Sequence, residues 1–595
     1  MKYLHSMSPC ALALLVMTAS AMAGNSNAYC GKGDVWLGGA SDGPAQLPQH
    51  CIYTGLDGTP SPGAVTLVPA GGNFQAALNA ANCGDTIELQ AGASFSGVFS
   101  LPAKACDAAH WITVRTSAPD TSLPAEANRV TPCYAGVPSL PGRPAYACSA
   151  PSNVLAQVVT SSGRGPFVLS NGANHYRLIG LEITRAVAPF YAGFLISANG
   201  SADHIIVDRS WVHGDAQDDT NAGVQFNGMT YAAVIDSYLS DFHCEAITGH
   251  CTDAKAIGGG TSSLPGGPYK VHDNFLEAAG ENMLQGGGPA KFVPADFEVR
   301  CNHFFKPLTW QKGNPNFVGG SHGNPFVVKN LFELKNGQRV LFEANILEDS
   351  WGGFTQVGYA LLLTAKNQDL GGVSVCPLCK VTDVTIRYSR FSHSGAGMSL
   401  ANALSDSGGA AADGGRYSLH DLTLDDISAS KYSGSGTLFE VLTNWPQNGL
   451  HDVTIDHVTA FPARHLMTLG DYTSTKIPNF NLNNSIANAA TYSVWSTGYS
   501  TNCQTDDIPI DMFNSCLNPY TFNFNAIIAP RSSYPPSKWP TGNFFPANIA
   551  AVQFTDYAGG NYQLLPTSPY HNAGSDGKDL GADIVTLNNM LQYVP

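Results

Sequence analysis

The chain has 595 residues, of which only 13% are charged, and its formal net charge is −15. An average soluble protein has about 25% charged residues, and the negative balance argues against a general nucleic-acid binder. The negative net charge does not exclude an acidic polysaccharide as partner, because a local cationic cleft can lie within a negative surface.

The N-terminus predicts export. A weakly basic start with Lys2 is followed by an apolar run at 10–17 and by the small-residue site Ala21-Met22-Ala23. This pattern is typical of a secretory signal peptide at 1–23 that is cleaved after Ala23, and the apolar run is too short to span a bilayer. We therefore expect a secreted or periplasmic monomer that does not insert into a membrane.

The cysteines predict disulfides. In an oxidising compartment, cysteines that are close in sequence pair locally. Half a zinc site is an alternative at Cys376 and Cys379, although no second Cys or His pair has suitable spacing. Cys301 is left outside the pairs and within a predicted strand, so we expect it to be buried. The predicted pairs are Cys30/Cys51, Cys83/Cys106, Cys133/Cys148, Cys244/Cys251, Cys376/Cys379 and Cys503/Cys516.

The mature chain begins with an irregular, disulfide-held lead-in at 24–64. Residues 74–81 then form a short amphipathic pattern directly before an apolar strand at 84–89. A helix in this position would protect the apolar end of a stacked repeat. Residues 500–595 are rich in turns and are expected to form closing coils and a C-terminal cover.

A repeat dominates the chain between these ends. A short β run is followed by a small polar residue, an apolar or aromatic residue and a turn, with steps of 27 to 44 residues. Uneven steps of this size suit a solenoid whose coils carry loops of variable length. The Asn and Ser markers suit bends and can form internal ladders. The markers lie at 210, 237, 274, 302, 345, 389, 426, 457 and 484.

The missing leucine spacing excludes a leucine-rich repeat, and a β-propeller would need more even steps. We therefore predict an all-β fold, a right-handed parallel β-helix that occupies 65–595 as one domain.

Four stretches carry a resemblance to a known superfamily. They resemble the opening, the closing segment and two internal signatures of the pectate-lyase-like β-helix proteins, and the resemblance spans nearly the whole mature chain. It implies the β-helix fold and leaves the reaction open, since one fold supports many activities. The motifs of β-helix polygalacturonases and of the chondroitinase B and alginate lyase family are absent. The four stretches are 79–97, 568–583, 276–282 and 330–336.

Charge is concentrated in one part of this charge-poor chain. Glu245 and Glu281 follow their markers by similar distances, and the next coil contains Lys329, Glu333 and Lys335. Strand alternation places Glu333 and Lys335 opposite Phe332 and Leu334. We predict that Glu281, Glu333 and Lys335 face one solvent-open groove. Surface ion pairs without function are the alternative for each of these residues.

The favoured function is a lyase that cleaves a uronic-acid polymer by β-elimination. Lys335 or Lys329 would be the base, and Arg339 or Lys366 would neutralise the substrate carboxylate. Arg339 alternatively begins the next structural strand. Glu281, Glu245 and Asp253 are candidate orienting carboxylates or ligands of Ca²⁺, the candidate cofactor.

Two other functions remain open. A glycoside hydrolase would use a carboxylate pair, either Glu245 with Glu281 or Glu281 with Glu333. A non-catalytic polysaccharide-binding or adhesion solenoid ranks third.

Neighbouring residues are candidates for substrate binding. Trp310, Trp351 and Tyr359 lie in or beside long loops of the same coils, where rings can stack on sugars or cover the apolar flank of the solenoid. The segment 311–324, which contains His322, reads as a long loop over the cleft.

Overall fold

The computed structural model describes residues 24–445, 449–471, 475–497 and 502–594. The predicted signal peptide at 1–23 lies outside these residues. The described chain forms a right-handed parallel β-helix whose strands pair with their counterparts in the next coil. One continuous cluster of buried apolar side chains extends from Val68 to Trp539. The predicted fold class, a parallel β-helix, is therefore confirmed.

Each coil contributes strands to three faces, named here in the order in which the chain visits them. The first face contains Val65–Val68, Thr86–Leu89, Ile112–Thr116, Ala173–Ile179, Ala202–Asp208, Met229–Ile235, Tyr269–His272, Ala295–Arg300, Gly337–Glu343, Lys380–Arg387, Phe480–Asn483 and Tyr520–Asn523. The second face contains Ser94–Ser96, Ala156–Thr160, Leu181–Arg185, Trp211–His213, Tyr238–Phe242, Phe275–Ala278, His303–Phe305, Ile346–Ser350, Arg390–Ser394, Ile486–Asn488 and Ala526–Ile528. Asp413–Ile427 and His451–Pro462 run through both of these faces.

The third face is a separate sheet of twelve strands. It contains Phe99–Leu101, Phe167–Ser170, Ala192–Asn199, Thr220–Gln225, Lys255–Gly259, Glu281–Gln285, Phe332–Leu334, Tyr359–Lys366, Ala396–Ala403, Thr437–Thr443, His465–Asp471 and Val494–Ser496. Short antiparallel pairs lie outside the three faces: Cys30–Gly31 with Val35–Trp36, Ser41–Asp42 with Ala45–Gln46, Gly352–Gly353 with Gln356–Val357, Asp369–Leu370 with Val373–Ser374, and Phe554–Asp556 with Asn561–Leu564.

A polar ladder forms the corner between the first and second faces. The backbone N–H of Asn274 donates to Asn302 Oδ1 at 3.0 Å, and that of Asn302 donates to Asn345 Oδ1 at 2.9 Å. In the same way, the backbone N–H of Ser210 donates to the side chain of Ser237, that of Ser237 to Asn274, and that of Asn345 to Ser389. The predicted internal ladder is therefore confirmed at the first six markers.

Three later markers are wrong by a few residues. The residue before each ladder position has a left-handed backbone, and in the later coils this residue is Asp421, His457 or Asn484. In two of these coils the ladder position itself is apolar: Leu422 follows Asp421, and Val458 follows His457. These two residues are paired in register. The corner is set by backbone conformation, so a coil can turn without a polar side chain at the ladder position.

Two segments cover the outer surfaces of the first and second faces. The lead-in lies along the first face, where Asp42 pairs with Arg387 at 2.7 Å and Ser26 O accepts a hydrogen bond from Lys270. The segment 117–155 lies along the second face, where Arg143 pairs with Glu277 at 2.7 Å.

The ends are capped. The predicted capping helix is observed at Phe74–Ala80, where the Asn73 side chain accepts a hydrogen bond from Ala76 N. The other α-helices in the described residues are Ala429–Tyr432, Pro509–Cys516 and Ile584–Leu591, and the 3₁₀ turns are Leu56–Gly58, Asp120–Ser122, Pro132–Tyr134, Leu308–Trp310, Pro536–Lys538 and Ile549–Val552. None of these helices is long and apolar enough to cross a membrane.

All six predicted disulfides are present. The alternative of half a zinc site at Cys376 and Cys379 is therefore wrong. Cys301 is buried and outside the disulfides, as predicted. It packs against Ala344 and against Met590 and Val594 of the C-terminal cover.

Candidate functional site

Six charged side chains gather at the outer surface of the third face. We call them the lysine–carboxylate cluster: Asp253, Lys255, Glu281, Lys329, Glu333 and Lys335. Their concentration is notable because only 13% of the chain is charged. The cluster includes all three residues that the sequence predicts on one groove, Glu281, Glu333 and Lys335.

Strand register brings the cluster together. Lys255 is directly paired with Glu281 in the neighbouring strand, and Leu284 is paired with Glu333 in the next. Phe332 and Leu334 are buried in the core, as alternation predicts. Glu333 therefore points outward from its place beside Leu284, and it is close enough to Glu281 to act on the pKa of that carboxyl.

Ion pairs link five of the six side chains in two groups, and Lys255 contacts a backbone carbonyl instead. Lys335 Nζ lies 2.8 Å from Glu333 Oε1. Lys329 pairs with Asp253, and its Nζ lies 3.7 Å from Glu281 Oε1. Lys255 Nζ donates to the backbone carbonyl of Asp253. Each lysine thus has an oxygen acceptor, whereas Glu281 has only a distant cation.

Glu281 is the least satisfied carboxylate of the cluster. It is fully buried, and neither of its oxygens has a hydrogen-bond partner within the described residues. Burial, together with Asp253 nearby, raises the pKa of Glu281 to about 8. A buried carboxylate without hydrogen bonds is costly to ionise, so Glu281 favours its neutral form near neutral pH.

The three lysines are not equivalent. Burial lowers the pKa of Lys255, although Glu281 and Asp253 act in the opposite direction. Burial also acts to lower the pKa of Lys335, but Glu333 and Glu281 outweigh it and raise that pKa. Lys329 behaves like Lys335, because Glu281 and Asp253 raise its pKa. Lys255 is therefore the lysine best suited to be a neutral amine.

The remaining two carboxylates favour their ionised forms. Burial opposes the ionisation of Asp253, yet Lys329 lowers its pKa to about 2. Burial likewise opposes the ionisation of Glu333, and Lys335 lowers its pKa below the ordinary value. The cluster therefore combines one protonated carboxylic acid with two carboxylates and two charged lysines.

A cavity of about 350 Å³ adjoins the cluster. It is within the volume range typical of small-molecule sites. Gln225 Oε1 at its wall is buried without a hydrogen-bond partner in the described part of the chain. The lining residues include Phe194, Gln225, Asp253, Lys255, Leu284 and Gly286.

The cluster is less open than the sequence predicts. Glu281 is 0% exposed and Glu333 is 3% exposed, whereas the Lys335 side chain is 17% exposed. Grouping of the three residues on one face is confirmed, but the prediction that all three face an open groove is wrong. The lysine side chains lie over the carboxylates, because ion pairing and burial of the aliphatic stems favour that arrangement.

Glycines make room for the lysine side chains. A Cβ atom at Gly258 would lie 2.4 Å from Lys255 Cδ and 2.5 Å from Gln225 Oε1. Gly286 has a positive φ of 99°, and a Cβ there would lie 2.8 Å from Lys335 Cβ. Larger residues at 258 and 286 would displace the two lysines.

Two other predicted residues lie away from the cluster. Arg339 is in Gly337–Glu343 of the first face, where it forms a paired contact with Asp296 at 2.7 and 2.8 Å. Its structural alternative is therefore the correct one. Lys366 is on the third face, but its Nζ lies 3.6 Å from the exposed Asp406.

Glu245 holds a loop. Its carboxylate accepts hydrogen bonds from the backbone N–H of Asn324 at 2.8 Å and from His322 Nδ1 at 2.7 Å. The His322 side chain is 65% exposed. The loop predicted at 311–324 is thus anchored by Glu245, and both oxygens of its carboxylate accept hydrogen bonds from that loop.

The predicted aromatic walls are buried. Trp310 and Trp351 are 1% and 4% exposed and pack in one apolar cluster with Phe326. Tyr359 is 6% exposed. These rings cover the flank of the solenoid, which was the alternative to stacking on a sugar.

The arrangement does not fit a calcium ion. The described residues contain no group of three or more His, Cys, Asp or Glu side chains that could hold a metal. Asp253 and Glu281, two of the candidate ligands, already lie beside Lys329. A cation would be repelled by that ammonium group, and the third candidate, Glu245, is used elsewhere.

Sequence reasoning missed Lys255 and Lys306. Lys255 lies two residues after Asp253 at the start of a buried strand. This local pair of opposite charges is the sequence feature that could have identified Lys255. Lys306 is fully buried, and its Nζ donates to the carbonyls of Gly280 and Asn330 at 2.8 Å. It ties the chain before Glu281 to the chain after Lys329, a contact that no sequence pattern reveals.

No protein-family model and no curated protein matches the chain. Solved structures similar to it include pectate lyase Pel9A, at 12% identity over 88% of this chain and 97% of that one, with a TM-score of 0.37. The PL6 family alginate lyase AlyGC aligns at 12% identity over 88% and 58% of the two chains, with a TM-score of 0.40. The catalytic domain of GH87 alpha-1,3-glucanase aligns at 11% identity over 80% and 70%, with a TM-score of 0.37. Nothing about the reaction follows from likenesses this distant.

Proposed function

We propose that the protein binds an acidic, uronate-containing polysaccharide on its third face and cleaves it by β-elimination at the lysine–carboxylate cluster. One observation carries this proposal. Lys255 has a lowered pKa and lines a cavity, while Lys329 and Lys335 beside it remain charged. A base next to fixed cations is the combination that elimination from a uronate needs.

Lys255 is assigned the role of base. Its neutral amine would take the C5 proton of a 4-linked uronate, and the electron pair left on C5 would spread onto the carboxylate. When the C4–O bond breaks, that pair forms the C4–C5 double bond. The leaving oxygen takes a proton from water or from the protonated amine. This proposal differs from the expectation that Lys335 or Lys329 is the base, because both have raised pKa values.

Lys335 and Lys329 are assigned the role of neutralising the substrate carboxylate. Elimination builds up negative charge on that carboxylate, and fixed cations in a partly buried site stabilise it better than water does. Glu281 stays beneath the lysines, where its neutral form avoids repelling an anionic substrate.

The test is a screen of purified protein against uronate-containing and neutral polymers, with ultraviolet absorbance and reducing-sugar release measured in parallel. Only elimination creates the unsaturated uronide that absorbs. Lys255→Ala and Lys255→Arg should both abolish the absorbance signal, since arginine has a side chain of similar length but stays protonated and is not a base near neutral pH. Lys538→Ala, which removes an exposed lysine of the C-terminal region, is the charge-matched control. Full activity in Lys255→Ala would refute the assignment.

A second candidate is a glycoside hydrolase, and one observation favours it. The pKa values of Glu281 and Asp253 are driven apart, to about 8 and about 2. Such a pair matches a general acid and a nucleophile or base. Full burial of Glu281 counts against direct contact with a substrate. Reducing sugar released without ultraviolet absorbance, and lost in Glu281→Gln, would favour this candidate over the lyase.

We further propose that the mature protein is exported. Six disulfides support an oxidising compartment. N-terminal sequencing of protein recovered outside the cytoplasm should begin at Gly24.

A further inference from the structure

We propose a second saccharide-binding site at the distal end of the third face, formed by Tyr492 and Trp495 with Arg464 and Arg531. This distal platform would hold the continuation of the acidic polysaccharide that the lysine–carboxylate cluster binds. The inference rests on the proposed function for the identity of the ligand. The platform itself follows from exposure, ring geometry, charge and strand register.

The platform is built on exposed aromatic rings. Tyr492 is 37% exposed and Trp495 is partly exposed, whereas Trp310, Trp351 and Tyr359 are buried. The Tyr492 and Trp495 ring centroids lie 5.0 Å apart with an interplanar angle of 62°. His465 packs beside both rings, with centroids 5.7 Å from Tyr492 and 6.3 Å from Trp495, and the exposed part of the Tyr492 ring remains for a ligand. Sugar rings present C–H faces that pack on such surfaces.

Hydrogen bonds hold the backbone that carries the Tyr492 ring. His465 Nδ1 donates to the carbonyl of Tyr492 at 2.9 Å, and Tyr492 N donates to the carbonyl of Arg464 at 2.7 Å. Burial lowers the pKa of His465, so this bond is made by a neutral imidazole near neutral pH. The backbone position of Tyr492 is therefore fixed by two hydrogen bonds.

Two arginines make the platform suitable for an anionic sugar. The guanidinium carbon of Arg464 lies 6.0 Å from the Tyr492 ring centroid. Arg531 Nη1 donates to the carbonyl of Thr491 at 2.8 Å, and both arginine side chains belong to exposed residues. Asp507 is the nearby acid, and one of its oxygens accepts a hydrogen bond from Ser496 N. Arginine next to an aromatic ring is well suited to bind a carboxylate on a stacked sugar.

The platform is in line with the cluster. Outward-facing residues of successive strands are paired in one row from Glu333 through Leu362, Ser399, Glu440 and Thr468 to Trp495. Five strand spacings of about 4.8 Å give about 24 Å between the two ends of this row. An extended polysaccharide lying along the solenoid axis would reach both sites, and a short oligosaccharide would reach only one.

Binding measurements on the full chain test the inference. Lys255→Ala is used as background so that no probe is cleaved, and the probes are polygalacturonate, alginate, a neutral glucan and di- to trisaccharides of the acidic polymer that binds best. Tyr492→Ala/Trp495→Ala should weaken binding of that polymer about tenfold and leave the short oligosaccharides unchanged. Arg464→Gln should weaken polymer binding and reduce its salt dependence.

Controls separate this site from folding and from the proposed reaction. Trp495→Phe keeps an aromatic ring and should retain most of the affinity, and Tyr557→Ala removes another exposed aromatic residue, 39% exposed, on the C-terminal hairpin. If polymer binding depends on the platform but the wild type cleaves no polymer, the inference is supported and the proposed lyase activity is refuted. Polymer affinity unchanged in Tyr492→Ala/Trp495→Ala, or lost equally in Tyr557→Ala, would overturn the inference whatever the reaction proves to be.

Discussion

Replacing Lys335 with alanine should destabilise the fold as well as impair activity. From the sequence, an exposed lysine would add little stability, and a melting temperature almost unchanged by Lys335→Ala would be expected. The structure changes that expectation. Lys335 Nζ lies 2.8 Å from Glu333, whose side chain is only 4% exposed. Removal of the lysine leaves a buried carboxylate without its main cation.

The magnitude follows from this geometry. Removing one partner of a fully buried ion pair costs about 3–5 kcal/mol. Glu333 keeps a hydrogen bond from Asn330 Nδ2 at 2.9 Å, and the Lys335 side chain is 17% exposed, so part of the loss is offset. We expect a loss of ~2–3 kcal/mol at neutral pH. Lys366→Ala is the matched control: its side chain is 21% exposed, but its partner Asp406 is 85% exposed. That variant should lose less than ~1 kcal/mol.

The loss should depend on pH. The folded-state pKa of Glu333 is lowered from its ordinary value of 4.5, so the pair contributes stability above that pH and loses it as pH falls through the folded pKa. Without Lys335, burial makes the ionised carboxylate unfavourable. The difference in free energy of unfolding between the wild type and Lys335→Ala should therefore be largest at neutral pH. It should shrink as pH falls, first because the unpaired Glu333 of the variant takes up a proton and then, below pH 4.5, because the wild-type pair is lost.

Urea unfolding of both variants measures the loss, and hydrogen exchange in Phe332–Leu334 reports whether it is local to these coils. Glu333→Gln/Lys335→Met should be more stable than Lys335→Ala, because it removes the unpaired charge. Equal stability of Lys335→Ala and Lys366→Ala at neutral pH, or a loss that grows at acid pH, would refute the reasoning.

Three further predictions concern other parts of the molecule. The cleavage rate should rise with pH to a plateau reached below pH 10.5, the ordinary pKa of lysine, because the pKa of Lys255 is lowered and only its neutral form accepts a proton; a pH–rate profile without this rise would contradict the assigned base. Asn302→Ala should cost ~3 kcal/mol in urea unfolding, because it leaves buried ladder groups unpaired, whereas Asn302→Ser should cost less, since serine occupies the same ladder at Ser237. Cys301 should not react with thiol reagents in the native protein, because burial raises its pKa to about 12. One thiol per mature chain, cleaved after Ala23 and so without Cys10, should react after unfolding without reductant; two or more per mature chain would contradict the six disulfides.

The sequence predicts the repeat, the capping helix and the disulfides because each depends on local patterns. Alternation around Glu333 identifies which side chains leave the core, and short separations identify the cysteine pairs. Arg339 shows the limit of such reasoning. It is only four residues from Lys335 in sequence, but the chain turns a corner between them, so the two side chains lie on different faces.

The sequence by itself determined the fold and the presence of excess charge in the coils between 245 and 335, because hydrophobic alternation and turn residues act over a few positions. Only the tertiary structure decided which charges meet and in what protonation state. Lys255 faces Glu281 through strand register, although 26 positions separate them in the chain. Burial then decides that Lys255 shifts toward a neutral amine and Lys335 does not, since desolvation and the balance of neighbouring charges exist only once the coils are stacked.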